Sequence, residues 1–288
     1  MKQRVITGTL FTIVVSIFIG LAYFYPIFSL IFSLIVGTVA SVEIYKALKA
    51  GKYQPSAVFM FFGGIFALGS VLAGAVLTDK YPALAFELYL VLELSLCLVA
   101  AIWPSIKNKS DTQFYDGIAT AGSILYITFP LFCLVATTYI FENGWFYMVV
   151  ALTAPWISDV FAYFTGVLFG KHKIVPHISP KKTWEGCIGG AIFCALAVML
   201  YFDFVVYRIE NFKMNIVVFS IIMFLFGLAI SVMSQIGDWF ASVIKRHVGI
   251  KDYGKFLPGH GGMLDRFDST FYTLPVGLLI GVILFFLK

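Results

Sequence analysis

The chain is organised around Ser242–Asp268, SVIKRHVGIKDYGKFLPGHGGMLDRFD, a polar block between two apolar runs of membrane length. The block combines cations and carboxylates with five glycines and two histidines. Its charged residues are Lys245, Arg246, Lys251, Asp252, Lys255, Asp265, Arg266 and Asp268. Polar groups beside a membrane are costly to keep unless they have a function. Cations, glycines and carboxylates in one short block indicate a site for phosphate groups and a metal ion.

Outside this block the chain is mostly apolar. Of its 288 residues, 60% are hydrophobic and 12% are charged, whereas soluble domains carry about 25% charged residues. Uniformly apolar runs of about 20 residues predict membrane-spanning helices and argue against a β-barrel, whose strands alternate. We therefore expect an all-α, polytopic membrane protein with about nine transmembrane helices. The predicted spans are 5–25, 26–43, 56–77, 82–103, 117–140, 145–169, 187–206, 214–237 and 270–287, of which the second is short enough to be tilted or re-entrant.

The distribution of basic residues predicts the orientation of these spans. With the N-terminus in the cytoplasm, 16 of the 20 Lys and Arg residues fall on the cytoplasmic side, as the positive-inside rule requires. The two long basic loops, 170–186 and 238–269, then share the side where nucleotides are found. We expect one membrane unit, with N-terminal helices over 1–143 and a C-terminal catalytic region over 144–288.

Two classes of site are disfavoured by composition. The net charge of +5 is modest and no basic tail is present, so no nucleic-acid partner is expected. The cysteines all lie inside apolar runs without a CxxC pair, which predicts buried free thiols rather than disulfides or a zinc site. They are Cys97, Cys133, Cys187 and Cys194.

The end of the eighth span carries three polar residues at helical spacing. Asp238, Ser242 and Lys245 fall at i, i+4 and i+7, so they line one face if the helix continues beyond the lipid. These residues are then candidates for binding a metal and phosphate groups. The alternative is a polar helix end at which Lys245 and Arg246 bind anionic lipid.

The start of the ninth span carries a carboxylate pair. Asp265 and Asp268 stand at i, i+3 and suit Mg²⁺, which prefers oxygen ligands, although acids also favour a helix N-terminus for electrostatic reasons. The preceding His260, Gly261 and Gly262 predict a turn whose backbone N–H groups approach phosphate oxygens. Turn formation alone would require the same glycines.

A second region, in and after the sixth span, adds further candidates. Asp159 lies within an apolar run, where a charged side chain costs at least about 2.5 kcal/mol. Lys181 and Lys182 are candidates for phosphate binding, and Ser179 or Thr183 for capping the next helix. The alternative is an interfacial loop anchored by Trp184 and the lysines.

A transporter or channel is a rival class, with Glu87, Glu93 and Asp159 along its pathway. The clustering of charge on one side and the weak internal symmetry argue against it. The sequence has no GxxxxGK[ST], HExxH or GxSxG motif, so neither a P-loop ATPase nor a classical serine hydrolase is predicted.

The Ser242–Asp268 block resembles the signature of the phosphatidate cytidylyltransferases, also called CDP-diacylglycerol synthases. The matching positions are Ser242, Ile244-Lys245-Arg246, Lys251-Asp252, Gly254, Leu257-Pro258, His260-Gly261-Gly262-Met263 and Asp265-Arg266-Phe267-Asp268. The region 158–186 is also similar, through Ser158-Asp159, Phe169-Gly170-Lys171 and Ser179-Pro180-Lys181-Lys182-Thr183. The resemblance covers the C-terminal half closely.

The resemblance implies a reaction in which CTP and phosphatidate give CDP-diacylglycerol and pyrophosphate. It also implies Mg²⁺, with K⁺ sharing the site, and a homodimer. The few cysteines, the lack of a targeting tail and the compact length favour the bacterial inner membrane, and the positive-inside rule predicts an active site that faces the cytoplasm. The expected metal ligands are Asp238, Asp265 and Asp268. The residues expected to act on the phosphates or bind substrate are Ser242, Lys245, Arg246, Lys251, Asp252, His260, Gly261, Gly262, Arg266, Asp159, Ser179, Lys181 and Lys182. A CTP-dependent lipid kinase, or a cytidylyltransferase for another lipid phosphate, is the alternative with similar chemistry.

Overall fold

The computed structural model describes residues 2–77, 84–107, 111–176, 179, 181–210, 212–259 and 261–287. Within these residues the protein is helical, apart from two isolated β-bridges. The first five helices are α1 (Lys2–Phe24), α2 (Ile27–Ala50), α3 (Ala57–Leu77), α4 (Leu84–Lys107) and α5 (Asp111–Ile140). They are followed by α6 (Gly144–Phe169), α7 (Trp184–Tyr201), a π-helical turn (Phe202–Val206), α8 (Tyr207–Glu210), α9 (Ile216–His247) and α10 (Leu264–Leu287).

The expected all-α, polytopic fold is confirmed. Eight helices of the described part are long and apolar enough to cross a membrane, judged by length and composition. Helix α3 is not among these eight, and its segment Ala57–Ala67 is a shorter apolar helix. In lipid, a helix satisfies its own backbone hydrogen bonds, which explains why apolar runs of this length become helices.

Several helix ends differ from the predicted spans. The second helix has 24 residues and reaches Ala50, so the interpretation as a short or re-entrant span is wrong. The eighth predicted span continues as α9 to His247, and the ninth begins at Leu264 in α10. Hydropathy locates the part of a helix that lies in lipid, whereas these helices continue into polar sequence.

The chain forms two compact units. The first contains Met1–Glu142 and Ile244–Phe267, and the second contains Asn143–Val243 and Asp268–Lys288. The predicted division placed all of 144–288 together, whereas most of the polar block groups with the N-terminal helices. Its contacts explain this grouping, because aromatic and carboxylate side chains of α1 and α2 hold it in the first unit.

All four cysteines are buried free thiols, as predicted from their apolar surroundings.

Candidate functional site

In the first unit, the polar block leaves α9 through a glycine cap. The N–H of Gly249 donates to the carbonyl of Arg246 at 3.2 Å, and that of Ile250 donates to Lys245 at 2.9 Å. Gly249 has a φ of +75°, the left-handed conformation that ends a helix in a Schellman motif. The chain therefore turns directly after the basic last turn of α9, where cations also complement the helix dipole.

Asp265, at the start of α10, is the centre of the best-defined polar cluster in this unit. Its Oδ1 accepts a hydrogen bond from Lys245 Nζ at 2.8 Å. Its Oδ2 accepts from the N–H of Tyr253 at 2.8 Å and from the N–H of Gly262 at 2.9 Å. The side chain is only 5% exposed, so this carboxylate holds the Lys245 ammonium and folds the loop around itself.

The glycine turn before α10 is shaped by its own backbone geometry. Gly259 and Gly261 have φ values of +82° and +84°, and the N–H of Leu257 donates to the carbonyl of Gly261 at 3.0 Å. The N–H of Gly262 is engaged by Asp265, so the donor predicted to hold phosphate is used inside the loop. His260, predicted beside these glycines, lies outside the described residues.

Helices α1 and α2 anchor the same block. The ring of Phe267 is buried and packs against Phe11 and Phe32, with centroid distances of 5.7 Å in both pairs. Thr7 Oγ1 donates to the carbonyl of Pro258 at 2.9 Å. Glu43, which was not predicted from the sequence, accepts backbone N–H groups at the start of α10.

Other predicted residues of the block point to solvent. Arg246, Lys251, Asp252 and Arg266 are exposed. Within the described ranges three ion pairs form, and none of them involves these side chains. Three exposed cations close together in sequence suit the binding of a highly charged anion.

In the second unit, Asp238 of α9 forms an ion pair with Lys182 of the 170–183 loop. Both side chains are about a quarter exposed, and Lys182 Nζ also lies 5.8 Å from the centre of the Trp239 ring. The structure thus brings together two residues predicted from separate loops. Because α9 is continuous to His247, the predicted helical face of Asp238, Ser242 and Lys245 is confirmed.

The loop that carries Lys182 is fixed at both ends. Thr183 Oγ1 caps α7 by accepting from the N–H of Gly186 at 3.2 Å, as predicted. Glu185 in the first turn of α7 pairs with His172 Nδ1 at 2.7 Å, and the N–H of Trp184 donates to the His172 carbonyl at 2.9 Å. These contacts hold Lys182 at a defined place beside α9.

The backbones of α9 and α10 approach closely beside Asp238. A Cβ on Gly237 would lie 2.7 Å from the carbonyl oxygen of Asp268 and 3.1 Å from Cα of Ser269. Asp268 is buried, and its Oδ1 accepts from the N–H of Ser269 at 2.7 Å. Gly237 therefore allows the backbone segments that carry Asp238 and Asp268 to adjoin.

A series of buried hydrogen bonds, which was not predicted, connects polar residues of α6, α7 and α9 in this unit. Ser158 Oγ and Ser231 Oγ lie 2.6 Å apart. Gln235 Nε2 donates to Ser231 Oγ at 3.3 Å and to the carbonyl of Cys187 at 3.1 Å. Ser231, Gln235 and Asp238 follow at i, i+4 and i+7 on α9, a spacing that in hindsight signals a polar face.

The remaining candidates of the second region are less closely tied to this cluster. Asp159 is exposed on α6, Lys181 is exposed, and Ser179 is half-buried. The N–H of Ser179 donates to Val175 at 2.9 Å, and its carbonyl accepts from the N–H of Lys182 at 3.3 Å. Ser179 therefore shapes the turn before Lys182 rather than capping α7.

In the described residues, the carboxylates could hold a metal ion only together with further ligands. No group of three or more His, Cys, Asp or Glu side chains in the described residues could hold a metal by itself. Mg²⁺ commonly binds through one or two carboxylates plus substrate phosphates. Asp238 and Asp265 each pair with a lysine ammonium, so either carboxylate would share its oxygens between that ammonium and a metal ion.

A cavity of about 550 Å³ lies in the first unit and is lined by α2, α3 and α5. Its walls are mainly apolar, with Met60, Phe61, Ile127, Leu131 and Phe132 among them. Such a lining suits hydrocarbon rather than a nucleotide. The charged loops therefore suit phosphate chemistry better than this cavity does.

The chain is similar in sequence to known cytidylyltransferases. The model of the cytidylyltransferase family matches residues 2–284. A phosphatidate cytidylyltransferase of Thermotoga maritima is 32% identical over 291 aligned residues, which cover 99% of this chain and 97% of the relative. Phosphatidate cytidylyltransferases of Staphylococcus aureus (strain COL) and Staphylococcus haemolyticus are 42% and 39% identical, over 60% of this chain and 62% of each relative.

Proposed function

Because the chain belongs to the cytidylyltransferase family, we propose that it is a phosphatidate cytidylyltransferase. It converts CTP and phosphatidate into CDP-diacylglycerol and pyrophosphate, a step of phospholipid biosynthesis. The observation that carries this proposal is the similarity along nearly the whole chain to a phosphatidate cytidylyltransferase. The exposed cations and lysine-paired carboxylates of the two loops supply the chemistry that the reaction needs.

The reaction needs charge neutralisation more than a base. A phosphate monoester has a second pKa of about 6, so phosphatidate is already an anion at neutral pH. One of its phosphate oxygens forms a bond to the α-phosphorus of CTP. The bond from that phosphorus to the bridging oxygen breaks, and pyrophosphate leaves with the electron pair. Positioning and neutralising two repelling anions is therefore the main catalytic task.

The cations of the first unit are assigned to this neutralisation. Lys245, Arg246, Lys251 and Arg266 bind the triphosphate and the lipid phosphate. The exposure of the last three and the hydrogen bond that fixes Lys245 on Asp265 support this assignment. Further contacts to CTP are assigned to Ser242, Asp252, His260 and Gly261 of the same block, whereas Gly262, predicted beside them, already donates its N–H to Asp265.

Mg²⁺ is assigned to Asp238, Asp265 and Asp268. When bound, it withdraws negative charge from the phosphates and so favours attack and departure of pyrophosphate. Asp265 accepts two backbone N–H groups on Oδ2 and the Lys245 ammonium on Oδ1, so it would hold the ion as a carboxylate whose position is already fixed. A K⁺ ion sharing the site belongs to the same proposal.

The loop of the second unit supplies further residues of this proposal. Lys182, with Lys181 beside it, supplies positive charge, Ser179 sets the turn that presents them, and Asp159 adds a carboxylate. Support comes from the ion pair between Lys182 and Asp238, because it places this loop at one of the proposed metal ligands.

The charge distribution supports the orientation in which both basic loops face the cytoplasm. We place the protein in the inner membrane as a multi-pass homodimer, with both basic loops in the cytoplasm, where CTP is found. The lipid substrate stays in the bilayer with its phosphate at the surface.

The test is conversion of labelled CTP to a lipid-soluble product by purified protein in phosphatidate micelles. We expect product and pyrophosphate with Mg²⁺, and neither when EDTA is added or phosphatidate is omitted. Release of CDP with a newly phosphorylated lipid would instead identify a CTP-dependent lipid kinase. Solute flux into liposomes without nucleotide would favour the transporter class.

A further inference from the structure

A buried carboxylate of α2 holds the start of α10 from a distant part of the chain. Glu43 is 6% exposed. Its Oε1 accepts from the N–H of Met263 at 3.0 Å, and its Oε2 accepts from the N–H of Leu264 at 2.8 Å. The first N–H groups of a helix lack intrahelical partners, and a carboxylate is favoured there by the helix dipole. Because Met263 cannot cap with its own side chain, Glu43 performs this role across 221 residues of sequence.

Two glycines of the polar block are fitted to this carboxylate. A Cβ on Gly254 would lie 2.4 Å from Glu43 Oε1, and a Cβ on Gly262 would lie 2.5 Å from the same atom. Neither glycine has a positive φ, so the space beside Glu43, rather than backbone conformation, requires them. These two glycines therefore leave the space that the Glu43 side chain occupies.

Glu43 and Asp265 together engage consecutive backbone donors. Asp265 accepts from Gly262, and Glu43 accepts from Met263 and Leu264. Asp265 also accepts from Tyr253 at the far end of the loop and from Lys245. The two carboxylates thus fix the path of the loop between Tyr253 and Leu264, and with it the carboxylate on which Lys245 is held.

We propose that Glu43 is a positioning residue of the cytidylyl-transfer site, which fixes the catalytic loop by capping α10. This inference rests on the proposed function. It also means that the N-terminus of α10 is filled by a protein carboxylate, so substrate phosphates are bound by the cationic side chains instead.

The test compares Glu43→Gln and Glu43→Asp with the wild-type protein in detergent. The Gln amide can accept only one of the two N–H groups, so the loop should shift. A misplacement of roughly 1 Å can lower turnover about 100-fold, and we expect kcat to fall on this scale while KM for CTP changes little. Hydrogen exchange of peptides covering 253–264 should accelerate, with exchange in α3 to α5 unchanged.

Glu93→Gln is the matched control, because Glu93 is also a buried glutamate of the first unit and bonds Thr128 Oγ1 at 2.7 Å. It should leave kcat and loop exchange as in the wild type. Wild-type kcat and loop exchange in Glu43→Gln would overturn the proposal. If Glu43→Gln does not fold, Glu43→Asp decides: a lowered kcat at an unchanged melting temperature supports positioning, and wild-type kcat overturns it.

Failure of the proposed function would look different. In that case the wild-type protein itself would form no CDP-lipid, whereas the exchange comparison would still report whether Glu43 holds the loop.

Discussion

At the scale of single residues, the site depends on carboxylates that already have several partners. Asp265 accepts from one ammonium and two backbone N–H groups while nearly buried. Three donors hold this carboxylate in one position. The residue predicted as a metal ligand is therefore also the anchor of its loop, so its substitution should affect stability as well as activity.

Asp265→Asn tests this double role. In the asparagine variant an NH₂ group replaces one carboxylate oxygen, so it cannot accept the hydrogen bond that this oxygen now accepts. A buried donor left without a partner costs about 1–3 kcal/mol. We expect CTP-dependent pyrophosphate release to fall by at least about 100-fold, the scale of losing a pre-organised electrostatic group. The melting temperature in detergent should fall as well. Glu142→Gln, at an exposed position, is the control, and near wild-type turnover in Asp265→Asn would refute the assignment.

The pair formed by Lys182 and Asp238 can be tested with a double-mutant cycle. Lys182→Ala and Asp238→Asn should each lower kcat/KM. The double variant should be little worse than Asp238→Asn, because residues in contact couple by about 0.5–3 kcal/mol. Lys213→Ala changes an exposed lysine that forms no ion pair with any described residue and should have no effect. Losses that simply add would show that the pair does not act as a unit.

Residue types could be predicted from the sequence, but their partners could not. Asp265, Lys245 and the glycines stood out because charged and flexible residues are rare in this chain. Glu43 did not, because it is a single acid near the end of an apolar run, and its partner Leu264 lies 221 residues away. Sequence spacing carries information about contacts along one helix and little about contacts between distant helices.

At the scale of elements, the crossing of α9 and α10 depends on Gly237. Its Cβ position is occupied by backbone atoms of Asp268 and Ser269, which cannot move aside without separating the helices. Gly237→Ala should therefore destabilise the protein by about 1–3 kcal/mol, the usual cost of overpacking, and reduce activity by displacing Asp238 and Asp268.

Gly122→Ala is the matched control for this prediction. Gly122 lies in α5, and a Cβ there would meet nothing within 4 Å. Its melting temperature and turnover should equal those of the wild type. Equal effects of the two substitutions would show that the close approach at Gly237 is unimportant.

The existence of the helices was predictable, whereas their ends were not. An apolar run marks the segment in lipid, and each predicted span contains part of a helix. Polar residues such as those of 238–247 are equally compatible with helix in water, so the end of α9 depends on the cap at Gly249 instead. The division into two compact units could not be predicted from the sequence either, because it depends on contacts that α1 and α2 make with the polar block.

At the scale of the whole molecule, the charge asymmetry predicts which surfaces face the cytoplasm. Lys255→Cys and Lys213→Cys introduce exposed thiols at positions expected on opposite sides, while the four native cysteines are buried. In intact spheroplasts, a membrane-impermeant maleimide should label Lys213→Cys. Lys255→Cys should react only after permeabilisation. The reverse pattern would place the proposed active site outside the cell.

The length of α9 has a consequence for how the enzyme meets its lipid. With 32 residues, the helix is about 48 Å long at a rise of 1.5 Å per residue, and the hydrocarbon layer is about 30 Å thick. The helix is therefore longer than the hydrocarbon layer is thick, and its length sets how far Lys245 and Arg246 lie from the hydrocarbon. In the proposed reaction these two cations can then bind the phosphate of phosphatidate at the membrane surface, while its acyl chains stay in the bilayer. The lipid product can diffuse away within the same leaflet.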